Sequence, residues 1–475
     1  MSANNKWVTL TIVSLGILMS AMNASIINLA NPTLARYFDI GIDQVQWIST
    51  IYLIVVSSLM LLFGRMGDRI GSYKIYIAGF LFFTLGSVCC ALSGSFSILL
   101  LSRTVQAMGA AMLMATGMGI VTTSFPLNQR GRALGITVIA VGLGNMCGPS
   151  LGGFILSHFT WSAIFWVNLP FGIIAFILAL YFLRSPVPSD QHSLPPLDRT
   201  GALLLTILIS SLILCLSGGF TGSHWFILLF IITIPLFLWY EKRHPAPLWN
   251  FELMKIRRFA LGNLIAFLAY FAQIMVFFLL PFYLDRILTL STATIGLLIV
   301  ISPIMMAIIG PLSGSLSDKI GALRLMPVAF LVSMVAYGVL LNLSADSSLW
   351  HIGIGLALMG TGIGMLNSPN NSDIMTAAGI KYAGYAGGFV STTRNLAFCI
   401  GTAASAGLFT LLLNSFSVRL DYTAAYMNAL HCIIGISTFI ALAGFIICLW
   451  LKNAESSTKN QDPPLATPAH NPNQP

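Results

Sequence analysis

The sequence predicts an all-α integral membrane protein: two six-helix bundles, two further spans inserted between them, and both termini on the cytoplasmic side. Three observations predict it. Only 8% of the 475 residues are charged, 57% are apolar and mean hydropathy is +0.87, whereas soluble domains carry roughly 25% charged residues. The apolar residues fall in runs long enough to cross a bilayer. One loop sequence recurs 250 residues downstream, from Gly64 to Gly314.

With about 20 apolar residues for one crossing, the first bundle takes spans at 7–29, 44–64, 73–93, 97–122, 133–157 and 162–183. Two inserted spans follow at 200–219 and 223–240. The second bundle takes 259–284, 293–314, 325–343, 348–366, 384–413 and 427–451, which makes fourteen spans. The corresponding units are 1–185, 186–258 and 259–452, and the Pro- and Asn-rich tail over 453–475 reads as disordered.

An even number of spans puts both termini on one side, and the basic residues choose which. If that side is the cytoplasm, all but five of the 23 Lys and Arg lie inside. Only Arg36, Arg286 and Arg419 lie outside, and Arg103 and Arg394 fall within spans. This is the asymmetry of the positive-inside rule. The same scatter through short loops explains the net charge of +9 without nucleic acid as a partner. The first apolar run lacks a small-residue cleavage site and reads as a retained span.

The seven cysteines all lie in apolar runs, with no CxxC and no zinc-ligand spacing, so neither disulfides nor a metal are expected. No nucleotide-binding GxxxxGK[ST] and no HExxH is present, and no cofactor or enzyme activity is expected. Gly148-Pro-Ser-Leu-Gly152 fits GxSxG, but that motif needs a strand, turn and helix, and here it lies mid-span.

The recurring loop reads Gly64-Arg-Met-Gly-Asp68-Arg69-Ile-Gly71-Ser-Tyr-Lys74 after span 2 and Gly314-Ser-Leu-Ser-Asp318-Lys319-Ile-Gly321-Ala-Leu-Arg324 after span 10. A carboxylate among bases can form charge-assisted hydrogen bonds that break when bundles rock. Repeated bundles moving about a central site are an architecture of secondary transporters. In span 5, Gly144, Gly148, Gly152 and Gly153 recur with Pro149 among them, leaving a face without side chains that lets a neighbour approach and the helix bend. On span 4, Arg103 and Gln106 are one turn apart and share a face. An intramembrane cation costs about 2.5–3.5 kcal/mol on lenient scales, so Arg103 is expected to face a cavity or a partner.

GRMGDRIGSYK resembles the loop motif between spans 2 and 3 of the major facilitator superfamily, and GLGNMCGPSLGG, residues 142–153, resembles the motif of its antiporters. LLSRTVQAMGAA resembles the family's span 4 motif. TWSAIFWVNLPFG, PLDRTGALL and PLWNFELMKIRRF are similar to runs that mark the 14-span drug:proton antiporter branch. The resemblance implies alternating access. It gives Asp68 the role of holding one access state, with a weaker copy at Asp318. It makes the span 5 glycines a hinge and Arg103 a modulator of proton or substrate binding. Arg394, near Asn395, is taken as the counterpart of Arg103 in the second bundle.

For a pocket, spans 1, 4, 9 and 13 offer Asn23, Met108, Met112, Tyr270, Gln273, Met275, Phe277 and Phe278. The 20 Met and 31 Phe of the chain suit an adaptable apolar site.

One departure concerns mechanism. Relatives of this branch carry an acid in span 1; in Met22-Asn23-Ala-Ser-Ile-Ile-Asn28-Leu-Ala-Asn31-Pro32 an amide, Asn23, takes its place, while Asn28 and Pro32 match. An amide hydrogen-bonds but carries no proton near neutral pH. No acid falls mid-span. Asp285, at the end of span 9, is the nearest replacement candidate, though Arg286 beside it and its place near the outer surface favour an ordinary loop residue, and His158, His224, His351 and His431 sit at span ends. The expected function is export of hydrophobic small molecules, cationic ones among them, by a monomer in a bacterial-type plasma membrane. Proton coupling, movement driven by the membrane potential, and facilitated diffusion all stay open. The alternatives are a dedicated exporter of one metabolite, lipid or peptide, and, remotely, a membrane enzyme or sensor.

Overall fold

The computed structural model describes residues 3–125, 127–183, 198–216, 223–244, 251–379 and 383–459. Among these the chain is helical throughout, with no strand. The first half comprises α1 (Ala3–Phe38), a short α2 (Ile42–Val45), α3 (Trp47–Ile70), α4 (Ser72–Ala91), α5 (Phe96–Ser124), α6 (Leu127–His158), a short α7 (Ala163–Trp166) and α8 (Asn168–Phe182). Then come α9 (Arg199–Leu216) and α10 (Ser223–Arg243), packed on each other, with α9 also against α3. The second half comprises α11 (Phe251–Lys255), α12 (Arg257–Arg286), α13 (Thr292–Ile299), α14 (Ile301–Ile320), α15 (Ala322–Leu340), α16 (Leu349–Ala378), α17 (Ala383–Phe416) and α18 (Tyr422–Lys459).

Twelve described helices are long and apolar enough to cross a membrane, so the expected count of fourteen is not reached. The segment expected at 200–219 forms α9, whose apolar part, Thr200–Leu216, is shorter than a full span. The one expected at 133–157 lies in α6, several of whose side chains fall outside the described ones. Two boundaries also move. α1 continues through Pro32 to Phe38, so Arg36, expected in an outer loop, lies in its last turn. α18 runs to Lys459, past the expected start of the tail. The linker 184–197 and residues 460–475 lie outside the described residues.

The repeat has a backbone cause. α3 and α14 each end on a glycine with positive φ, Gly71 at 103° and Gly321 at 91°. Each glycine N–H bonds back into its helix, to the Gly67 and Ser317 carbonyls at 3.0 and 2.8 Å. Side-chain-bearing residues avoid that conformation, so a one-residue reversal between antiparallel helices requires glycine in both copies. The side chains of Asp68 and Asp318 lie outside the described ones. Nearby, Lys74 is exposed, its Nζ 5.9 Å from the Tyr73 ring centre.

Helix contacts are close where glycines face them, which is how membrane helices gain dispersion contact without a hydrophobic driving force. A Cβ on Gly86 of α4 would stand 2.4 Å from the Gln106 nitrogen, and one on Gly109 of α5 would stand 2.2 Å from the Phe83 nitrogen. In α6, a Cβ on Gly144 would meet the Leu18 carbonyl of α1 at 2.7 Å, and one on Gly148 would meet Ser25 Oγ at 1.8 Å. The glycine face therefore seats α6 on α1, as its spacing predicts. Its outer end does something further: a Cβ on Gly153 would meet the Thr292 carbonyl at 3.0 Å, in α13 of the other half.

Gly148→Val is expected to wedge α1 from α6 and to destabilise by about 1–3 kcal/mol, the usual cost of overpacking. Thermal unfolding of the detergent-solubilised protein measures it. Gly142→Ala, with nothing within 4 Å of its new methyl, should leave the midpoint unchanged.

Candidate functional site

A cavity lies between the halves, lined by α1, α3, α5 and α6 on one side and by α12, α14 and α17 on the other. Of the sequence-predicted residues, Asn28, Arg103, Pro149, Tyr270, Gln273, Phe277 and Arg394 line it. Asn23, Gln106, Met108, Met112, Met275, Phe278 and Asp285 do not.

Asn23 and Gln106 instead form the layer behind the wall, and both are buried. Arg103 is 1% exposed. Its Nε donates to the Ile48 carbonyl at 3.0 Å, its Nη1 donates to Gln106 Oε1, and its guanidinium lies 4.4 Å from the Tyr52 ring centre. The Gln106 amide then donates to Ser87 Oγ at 2.7 Å and to Asn23 Oδ1 at 3.2 Å, and Asn168 Nδ2 donates to Asn23 Oδ1 at 3.4 Å. Among the described residues no carboxylate pairs with Arg103. The cation rests on carbonyl and amide dipoles and on a ring face, the satisfaction a buried charge requires where no counter-ion stands.

Arg394 does not repeat Arg103. Counted along each half, Arg103 lies on the fourth long helix, α5, and Arg394 on the fifth, α17. The expectation of a repeat counterpart is therefore corrected: two unrelated positions converge on one cavity. Tyr270 and Arg394 both line the cavity, and the Tyr270 ring meets the Phe398 ring edge-on at 5.4 Å.

Asp285 is placed where α1 and α12 end, and both its oxygens accept from Arg36 Nη1, at 2.8 and 2.9 Å. It closes the two halves against each other and does not reach the cavity. Below it, Gly153 meets Gly296, and a Cβ on Gly296 would stand 2.5 Å from the Pro149 carbonyl. These cross-half contacts all lie at the end of the bundle where α1, α6 and α12 finish, so the halves meet at that end of the cavity. His351 Nε2 bonds the Val339 carbonyl at 2.8 Å and His431 Nε2 bonds the Leu343 carbonyl at 2.9 Å, neither in the cavity, and His158 Nδ1 stays within its own turn, against the Phe154 carbonyl. The His224 side chain lies outside the described ones.

Sequence reading missed several groups. Tyr52, Asn145, Ser302 and Thr402 line the cavity, and Asn168, within the TWSAIFWVNLPFG run, holds Asn23. Three acids read as loop residues are buried: Asp198 caps α9 by accepting from the Gly201 N–H at 2.7 Å, Glu241 lies in the last turn of α10, and Asp373 pairs with Arg258. A shared helix N-cap pattern at Asp198 was the one readable signal.

Helices in two halves, a polar layer within an apolar wall and a cavity closed from one side define a membrane transporter. Residues 13–402 match the Major Facilitator Superfamily, and the chain belongs to that family. It is 40% identical over 446 residues to "Riboflavin transporter RibZ" of Clostridioides difficile (strain 630), covering 94% of this chain and 97% of that one. It is 29% identical to "Multidrug resistance protein Stp" of Mycobacterium tuberculosis (strain CDC 1551 / Oshkosh), covering 83% and 74%. Its fold is similar to the crystal structure of a bacterial homolog to the human lysosomal transporter Spinster, with a TM-score of 0.66 at 16% identity, covering 98% of this chain and 100% of that one.

If the Arg36–Asp285 pair holds the outer side closed, Asp285→Asn shifts the population toward outer opening. A partly exposed pair contributes up to about 1 kcal/mol, roughly a fivefold change. The measurement is labelling of Ser302→Cys, in a background without the native cysteines, by an impermeant thiol reagent applied from outside. Labelling should rise severalfold in Asp285→Asn and return in the charge-swapped pair Arg36→Asp with Asp285→Arg.

Proposed function

We propose that this chain is a secondary transporter for a planar, polar heteroaromatic compound that is uncharged or anionic, with riboflavin the first candidate. The observation that carries this reading is the cavity wall. It holds two arginines and, among the described residues, no carboxylate, together with the rings of Tyr52, Tyr270, Phe277 and Phe398. A cation there would meet Arg103 and Arg394 with nothing to offset them, so the cationic substrates expected from the sequence fit this wall poorly. Flat rings suit aromatic walls. Asn28, Asn145, Gln273, Asn395 and Thr402 supply the few convergent polar groups that orient a ligand. The relative named as a riboflavin transporter supports the choice of probe.

In this reading the chain works as a monomer in the plasma membrane, crosses it fourteen times with α6 and α9 among the spans, and alternates about the Gly71 and Gly321 turns, with Asp68 and Asp318 holding an access state. A second reading is efflux of chemically diverse compounds. Its support is the relative named for multidrug resistance and the adaptable side chains of Met114, Met306 and Leu53 in the wall.

The test is counterflow of riboflavin in proteoliposomes, beside a drug-susceptibility panel in cells with and without the protein. Riboflavin should accumulate above protein-free vesicles while the panel stays flat. Broad resistance, with riboflavin neither bound nor moved, would overturn the proposal in favour of the second reading. An imposed pH gradient should change the initial rate by less than about twofold, since amide and guanidinium groups do not titrate near neutral pH. Asn23→Asp, which sets an acid beside Gln106, should make the rate pH-dependent.

A further inference from the structure

The two arginines of the cavity differ in what they are already holding. Arg103 is engaged by the Ile48 carbonyl, by Gln106 and by the Tyr52 ring, and it is almost wholly buried. Arg394 is half-buried, lines the cavity with Tyr270 and, among the described residues, makes no ion pair. Beside it Asn395, 6% exposed and also lining the cavity, has an Nδ2 with no hydrogen-bond partner among the described residues. A buried donor left unmade is costly, and such a group placed on a ligand-sized cavity is explained by a ligand.

Resting on the reading above, we propose that Arg394 and Asn395 form the donor pair that recognises the substrate, and that the chemistry they take is an in-plane edge of two adjacent acceptors. Such an edge is a ring carbonyl next to an unprotonated ring nitrogen, or a carboxylate. A guanidinium presents its N–H groups in a rigid planar fork that matches two coplanar acceptors, and an ammonium does not. The Asn395 amide adds a third donor from the same helix turn. Arg103 is then a structural cation: its carbonyl and amide partners position the wall, and the substrate does not displace them.

The experiment is titration of riboflavin, read by quenching of its fluorescence, with the purified full-length protein and its variants Arg394→Gln, Arg394→Lys and Asn395→Leu. Thermal unfolding of each variant is recorded alongside. Both Arg394 variants should weaken binding about tenfold or more, the scale of a charge-assisted hydrogen bond. Asn395→Leu should weaken it severalfold, with unfolding midpoints near wild type in all three. Lysine holding wild-type affinity would overturn the planar-fork assignment. Unchanged affinity in both Arg394 variants, with wild type binding, would overturn this inference and leave the substrate reading standing. Failure of the wild type to bind riboflavin would overturn both.

Discussion

A guanidinium buried in a bilayer must be satisfied, and at Arg103 no acid does it. That constraint organises the first half of the molecule. Three kinds of partner share the charge: a helix carbonyl at Ile48, the amide of Gln106, and the face of Tyr52. Because Gln106 spends its carbonyl on Arg103, its amide nitrogen must find acceptors, which it does at Ser87 and Asn23. Asn23 then accepts a second donor from Asn168. The network joins α1, α3, α4, α5 and α8, so the cation fixes how five helices are rotated about their axes.

Close backbone contact does the corresponding work between helices. Gly86 and Gly109 bring α4 against α5 near enough for Ser87 and Gln106 to bond, and Gly144 and Gly148 bring α6 onto α1. The last contact of the series, Gly153 with α13, crosses to the other half. A glycine face is therefore continuous from within one half to the closure between the halves. Under rocking, contacts without interlocking side chains can separate at low cost, while the interior part of the same face stays packed.

The fold was legible because glycine turns, charge asymmetry and run length are local properties. The turns at Gly71 and Gly321 could be read since only glycine adopts their φ without cost, and the residues around them recur with them. The site was half legible. Arg103 and Gln106 were visible as one turn of one helix, but their partners are long-range. Which face of a membrane helix looks into a cavity is harder still, because lipid and protein interior are both apolar and hydrophobicity does not separate them. That is why Met108, Met112, Met275 and Phe278 looked eligible and do not line the cavity, and why Ser302 and Thr402 were passed over. Asp285 was read at the end of its span, where it stands; its partner was not legible, because Arg36 is 249 positions away in the chain. Glu241 and Asp373 read as loop acids because length alone set the span ends, whereas α10 and α16 extend past them; Asp198 stands just before α9 as its cap.

If Asn23 stands where relatives keep a span 1 acid, as the family resemblance implies, the energy source changes with it. Where an acid stands beside an intramembrane arginine, protonation switches the site between neutral and positive, and that switch couples transport to a proton gradient. With an amide there, the charge of the polar layer is the same at every pH near neutral. The cavity then differs between its empty and loaded states only by the substrate's own charge. An uncharged substrate moves with its own gradient. An anionic one exchanges about 2.3 kcal/mol per charge with each 100 mV of membrane potential, and with the interior negative that term favours outward movement. In the proposed reading the charge of the bound species decides what drives the cycle, because α1 carries no carboxylate.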